Sequence, residues 1–245
     1  GMSVEWIRAE WPAPPGIVAG TTTRRGGVSE GAYASMNLGA HVGDNTQRVA
    51  ENRRCFVREC GLAAEPGWLT QVHGTAVQVV GDDTPGEADA AIARGPGAVV
   101  AVLTADCLPI LLCADEGIEV AAIHAGWRGL AAGIVAATIA RMNTPPERLL
   151  AWLGPAISQP AFEVGGEVRT AFMSADAAAA ACFEPNQRGR WQADLYALAG
   201  LQLDAAGVSA VHGGGLCTFG DSDRFFSYRR DGQCGRMATF IQRRD

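Results

Sequence analysis

The apolar positions of this chain fall into short runs separated by polar turns, and their spacing predicts a mixed set of strands and helices. Residues 17–23 read as a strand that runs into Arg24-Arg25-Gly26-Gly27, a turn signal. Asp44-Asn45 can cap a helix reaching Cys60, with Val49, Phe56 and Val57 on its apolar face and Gly61 as a stop. Residues 75–80 alternate and read as a strand. Residues 98–103, 108–113 and 118–123 are apolar runs of strand length and suggest a buried central sheet. Residues 126–142 read as one helix, with Leu130, Ile134, Ala137 and Ile139 along a face. A strand over 149–153, helical patches over 166–173 and 194–206, and a closing strand over 236–242 follow. The alanine run 177–181 reads as a surface helix. Strands and helices mix without strict alternation, so the expected fold is α/β or α+β with a mixed sheet, in one domain spanning residues 1–245.

Composition narrows the function classes. The net charge is -6, and no dense basic run appears, which argues against non-specific nucleic-acid binding. No stretch reaches the roughly 18 uninterrupted apolar residues of a membrane helix. Gly1 before Met2 reads as a tag scar, and residues 2–16 carry Glu5, Arg8 and Glu10 with no apolar region of a signal peptide. Seven cysteines, an odd number, suit reduced thiols in the cytoplasm more than a disulfide framework. All 20 basic residues are arginine. A Walker A loop, a Schiff-base lysine and a kinase-type lysine are therefore excluded. Arginine still suits phosphate and carboxylate through its planar fork.

The four histidines can be weighed singly. His73 lies in Thr70-Gln71-Val72-His73-Gly74, and Cys107 lies in Thr104-Ala105-Asp106-Cys107-Leu108-Pro109. His124 ends an apolar run and precedes Ala125-Gly126-Trp127-Arg128-Gly129. All three sit where a strand meets a turn, and strand ends can converge in one cleft. Two imidazoles and a thiolate suit zinc, and three protein ligands leave a fourth position for substrate or water. The spacing alone also allows the plain alternative: two satisfied polar histidines and a small buried cysteine.

Longer motifs carry a resemblance. Thr22-Thr23-Arg24-Arg25-Gly26-Gly27-Val28-Ser29, Ser35-Met36-Asn37-Leu38-Gly39, the segments 70–74, 103–109 and 123–129, Trp152-Leu153-Gly154-Pro155-Ala156-Ile157, Phe162-Glu163-Val164-Gly165 and Phe225-Phe226-Ser227-Tyr228-Arg229-Arg230 resemble the YfiH-like family. Those proteins were first called laccase-domain polyphenol oxidases and are now read as purine nucleoside phosphorylases. The resemblance runs in order over nearly the whole chain. It implies that His73, Cys107 and His124 ligate the metal, and that the fold has packed α/β/β/α layers similar to cysteine hydrolases of the cytotoxic necrotizing factor type. It implies zinc as cofactor (copper being the lesser alternative), and purine nucleoside and phosphate as partners of a monomer or homodimer. The implied reaction is phosphorolysis of adenosine, inosine and methylthioadenosine, with adenosine deamination beside it. One departure stands out: Cys234 occupies a position where the family usually has threonine before Gly-Arg-Met.

Residues near these motifs carry paired readings. Arg24, beside Gly26-Gly27, suits a phosphate contact or a loop-pinning role. Asn37 suits a ribose or base edge, or a turn. His41 suits metal ligation, or a supporting or structural role. Gln71 is two residues before His73, so both would point the same way in an extended chain; it faces substrate or braces the loop. Asp106 suits orienting a ligand imidazole or capping a turn. Trp127 suits packing, Arg128 an anion near the metal, and Ser227-Tyr228-Arg229 a cleft wall or surface. Two other chemistries use the same residues. A Cys-His hydrolase or amidase would use Cys107 as nucleophile and His124 as base. A copper-dependent polyphenol oxidase would need a trinuclear cluster that four histidines cannot supply.

Overall fold

A computed structural model describes residues 3–244, so the expected tag remnant Gly1 and start Met2 lie outside the described residues. Strands β1 (Trp6–Arg8), β2 (Ile17–Thr22), β5 (Val99–Thr104) and β13 (Met237–Arg243) form an antiparallel sheet in the order β1-β2-β13-β5. A second sheet takes β3 (Val77–Val79), β4 (Ala90–Arg94), β6 (Leu108–Ala114), β7 (Glu119–Ala125), β8 (Leu149–Leu153) and β12 (Ala210–Gly213), in the order β12-β8-β6-β7-β4-β3. Its outer pairs β12-β8 and β3-β4 are parallel and the inner pairs antiparallel. A small sheet joins β9 (Glu163–Val164), β10 (Phe183–Pro185) and β11 (Trp191–Ala193).

The two large sheets pack face to face. The period-two alternation of side chains decides which residue enters which layer. Val100 and Val102 of β5, with Ala19 and Ile241, meet Ala91, Leu111, Cys113, Val120 and Ala122 between the sheets. The alternate positions Val99, Ala101, Leu103, Ala238 and Phe240 face outward onto helix α1 (Thr46–Glu59), which contributes Phe56. On the far side, Ile92, Leu108, Ile110, Leu112 and Ile123 meet Leu130, Ile134, Val135, Val168 and Leu198. Those belong to helices α2 (Trp127–Ala132), α3 (Ile134–Arg141), α4 (Gly166–Ala175) and α5 (Leu195–Ala205). The result is an α/β/β/α stack, as expected from the resemblance. Every residue of β5, β6 and β7 is buried, because both faces of these strands are covered.

Local chemistry sets the ends of the elements. Asn45 Oδ1 accepts the Gln47 and Arg48 amides and starts α1, a cap worth about 1 kcal/mol. The single helix expected over residues 126–142 is two helices. Gly133 at φ 103° lies in the left-handed region, and its N–H closes α2 onto the Gly129 carbonyl before α3 begins. The alanine run forms a 3₁₀ segment, Ala177–Cys182, which sets Ala179 and Cys182 inward at a spacing of three. Strand β4 was not expected, since its alanines have low strand propensity. Among the described residues, no helix is long and apolar enough to cross a membrane.

Candidate metal centre and its cleft

Strand register brings the candidate ligands together. In the β6-β7 pair, Leu108 stands opposite Ala125 and Pro109 opposite His124, so Cys107, just before β6, falls beside Gly126. In the β4-β7 pair, Ala90 stands opposite Ile123, and the His124 amide donates to the Asp89 carbonyl at 2.7 Å. Asp89 therefore lies across from His124. Its carboxylate also gathers the loop before β3: Oδ1 accepts the Val72 and Gly74 amides at 3.1 and 2.9 Å, and Oδ2 accepts the His73 amide at 3.0 Å. His73 itself adopts φ 60°, uncommon for a residue with a side chain.

One carboxylate thus holds both histidines. His124 Nδ1–H donates to Asp89 Oδ2 at 2.7 Å, which leaves Nε2 as the nitrogen available to a metal. The rings of His73 and His124 meet edge to face, with centroids 4.7 Å apart. One donor atom each from His73, Cys107 and His124 lies within 4.8 Å of the others, a spacing that can hold a metal ion. Gly126 lines the group closely: a Cβ there would stand 2.9 Å from His73 Nδ1 and 3.0 Å from Cys107 Sγ.

The electrostatics fit a cation. Burial opposes charge on His124, yet the Cys107 sulfur and the Asp89 carboxylate push it up to about 9. The same Cys107 sulfur and Asp89 carboxylate would favour a metal cation once the ring gives that proton up. Burial and the neighbouring His124 push His73 down, towards the neutral form that binds metals. Burial alone would raise Asp89, but His124 and the Gly74 and Val72 amides outweigh it and hold the carboxyl below its ordinary value.

The group lies in a cleft of about 400 Å³ between the sheet ends. Trp127, Ile157, Phe162 and Leu195 give it apolar wall, and Arg128, Arg229 and Arg236 give it charge. Arg128 stacks over Trp127 at 4.7 Å. Arg229 lies 5.3 Å from Phe162 and donates to the Glu163 carbonyl at 2.9 Å. Gln71 lines the cleft, but its amide group is engaged at both ends by the Leu103 backbone, at 2.8 Å each. That pairing ties the His73 loop to the other sheet.

A family model described as multi-copper polyphenol oxidoreductase laccase matches residues 18–244. The chain belongs to this laccase-like family. It is 51% identical over 238 residues to purine nucleoside phosphorylase YfiH of Escherichia coli, covering 96% of this chain and 97% of that protein. A purine nucleoside phosphorylase of Pseudomonas aeruginosa is 50% identical over 241 residues, covering 98% and 99%. Among solved structures, a Neisseria meningitidis protein superposes with TM-score 0.93 at 48% identity, over 98% of this chain and 99% of that one. YlmD of Geobacillus stearothermophilus gives 0.88 at 31% identity over the full length of both chains.

Not every residue singled out in this laccase-like sequence reaches the cleft. Arg24 does not line it. Its Nε donates to the Ala34 carbonyl, its Nη1 to the Ser222 carbonyl, and the guanidinium lies over the Phe226 ring. Asn37 is fully buried; its Oδ1 accepts the Gly39 and Arg236 amides, and its Nδ2 donates to Gly39 and Asp44. Asp106 does not orient a ligand ring. Its carboxylate accepts from Thr218 Oγ1 at 2.6 Å and the Arg229 amide at 2.7 Å, pinning the loop before Cys107 to helix α6 (Tyr228–Asp231). Burial pushes its carboxyl up. Cys234 is buried and donates no surface to the cleft lining. Sequence reasoning missed Asp89 and Arg236. The visible signal for Asp89 was a lone carboxylate between Ala88 and the apolar run Ala90-Ala91-Ile92-Ala93.

Proposed function

We propose that this chain is a zinc-dependent purine nucleoside phosphorylase acting on adenosine, inosine and methylthioadenosine, with adenosine deamination as a second activity. One observation carries the reading: donors from three distant segments meet on the floor of a cleft with arginines and aromatic walls. The names of the relatives support the same reaction class. The cleft volume of about 400 Å³ falls in the range of small-molecule sites.

Two imidazoles and one thiolate favour zinc, with His73, Cys107 and His124 as its ligands. When bound, zinc supplies Lewis-acid polarisation of an oxygen or base atom in the cleft. The chain's residues supply the rest. Asp89 fixes the His124 tautomer and the His73 loop. The guanidinium groups at the cleft neutralise phosphate, and Phe162 and Trp127 offer apolar surface to the purine. In the reaction a phosphate oxygen forms a bond to the ribose C1′. The C1′–N9 bond breaks, its electron pair leaves with the base, and the base takes up a proton. Arg24 and Asn37 act by bracing the walls. We read residues 1–245 as one cytoplasmic domain, in keeping with cysteines that are all free of disulfides.

Incubation of zinc-replete protein with inosine and phosphate tests the reading. Equal amounts of hypoxanthine and ribose 1-phosphate are expected, lost on chelation and restored by zinc. Ammonia release from adenosine tests the deaminase. Absence of both products at one zinc per chain would overturn the proposal. The closeness of Cys107 and His124 favours a second reading, a Cys-His hydrolase. That enzyme would survive chelation and die on alkylation. A multicopper oxidase is disfavoured, because His73, Cys107 and His124 are the one such metal-holding group among the described residues.

A further inference from the structure

Three arginines line the cleft, and they are not equivalent. Arg128 is exposed and rests on Trp127, and Arg229 is exposed and turned onto Phe162 and the Glu163 carbonyl. Arg236 is half-buried, is held at its amide and at Nη1, and lies 5.9 Å from the Tyr228 ring. Its amide donates to Asn37 Oδ1 at 2.9 Å, and Asn37 is itself buried and held by Gly39 and Asp44. Its stem passes so near Gly39 that a Cβ there would stand 2.9 Å from Arg236 Cγ. Its Nη1 donates to the Cys234 and Gly235 carbonyls, both at 3.0 Å. These bonds all leave from Nη1, so the edge formed by Nε and Nη2 is free to grip an anion.

Charge points the same way. Most exposed arginines of this chain pair with a carboxylate, as Arg54, Arg148 and Arg188 do. Arg236, like Arg128 and Arg229, forms no ion pair among the described residues, so it is its fixed, half-buried placement that sets it apart. It faces His41 and the metal-binding His73, which both feel its positive charge. A pre-oriented planar fork with no internal counter-ion matches a tetrahedral oxyanion, which accepts two parallel N–H bonds. His41 adds a ring nitrogen at the same end of the cleft.

We propose that Arg236, with His41 beside it, is the oxyanion end of the cleft and takes inorganic phosphate. The assignment rests on the phosphorolysis reading above and deepens it. Asn37 then acts by setting the position of the Arg236 backbone. The phosphate contact also moves away from Arg24, whose guanidinium is occupied by the Ala34 and Ser222 carbonyls.

The test compares unaltered protein with R236M and R236K, each loaded with zinc and checked for fold by circular dichroism. R236M should raise the KM for phosphate at least about tenfold, as expected for loss of a charge-assisted bidentate contact, while the KM for inosine stays within about twofold. R236K should recover part of the loss, since it keeps the charge without the fork. An unchanged phosphate KM in R236M would overturn the assignment and leave the phosphorylase reading standing. If R236M does not fold, the phosphate KM of R236K decides in its place, a rise supporting the assignment and an unchanged value overturning it. If the unaltered protein releases no base from inosine, the phosphorylase reading falls. The site is then judged by calorimetric titration with inorganic phosphate alone. Binding lost in the variant sustains it, and binding equal in both, or absent from the unaltered protein, sinks it.

Discussion

Asp89 stands 2.7 Å from His124 Nδ1, and the same carboxylate accepts the backbone amide of His73 at 3.0 Å. A residue outside the candidate ligand set thereby sets the spacing of its two histidines. In Asp89→Asn the side chain keeps its shape but must turn an NH₂ towards either the His124 N–H or the amides of the His73 loop. A donor then faces a donor in a buried place. We expect metal affinity to fall about 10- to 100-fold and stability to fall by about 3 kcal/mol. Competition against a chromophoric chelator, with urea unfolding on the same samples, checks both. An unchanged zinc affinity would show that Asp89 serves the fold alone.

Gly126 separates the centre from the fold more cleanly. Its φ of -70° and ψ of 166° suit alanine, so the backbone accepts Gly126→Ala. The added Cβ meets His73 Nδ1 at 2.9 Å and Cys107 Sγ at 3.0 Å, and must displace them. We expect folding stability within about 1 kcal/mol of the unaltered protein and a loss of bound zinc on elemental analysis. Full zinc occupancy would mean that the three donors tolerate a wider spacing than this geometry implies.

The sequence made parts of this arrangement legible and hid others for physical reasons. Strands β5, β6 and β7 are covered on both faces, so they read as uninterrupted apolar runs. Strand β4 is equally buried but built from Ala90, Ala91, Ile92, Ala93 and Arg94, whose residue types do not announce a strand. With β4 unseen, the pairing that sets Asp89 across from His124 was unseen too. The candidate trio became legible through the family's motifs, because residue types and spacing alone also allowed two satisfied histidines and a small buried cysteine. Arg24 and Asn37 show the converse. Their motifs resemble the family's, yet a motif does not state where a side chain turns, and both are drawn into hydrogen bonds behind the cleft. Gly133 was readable as a helix residue only until its left-handed φ is known.

Glu119 should shape the acid limb of stability. It is almost fully buried on β7. Burial would raise its carboxyl pKa, but the Asn143 and Thr144 amides, the Arg94 guanidinium and the Thr144 hydroxyl outweigh it and hold it below the ordinary value. With the folded pKa depressed, the unfolded chain binds the proton first as pH falls. The stabilisation is complete above the unfolded value of about 4.3 and is lost as pH drops through the folded one. Glu119→Gln removes that proton. We expect it to be less stable at pH 7 and to show a shallower decline between about pH 5 and pH 3, measured by urea unfolding at each pH. Parallel declines in the two proteins would exclude Glu119 as a source; Asp89, held low in the same direction, contributes equally to both.

Thiol chemistry gives a test of the metal centre that needs no substrate. Burial pushes Cys60 and Cys113 up to about 12, and also raises Cys55, Cys182 and Cys234. These thiols stay protonated at neutral pH and react slowly with iodoacetamide. Cys217 differs. Burial opposes its thiolate, but the Ser158 side chain and the Ser158, Gly220 and Phe219 amides outweigh it and lower its pKa. Cys217 should therefore be alkylated whether or not zinc is present. Cys107, half-exposed at the floor of the cleft, should react in zinc-free protein and be protected once zinc is bound. Peptide mass spectrometry after timed alkylation reads both sites in one experiment, with Cys217 as the internal control. Equal labelling of Cys107 with and without zinc would remove it from the ligand set and return it to the role of a free nucleophile beside His124.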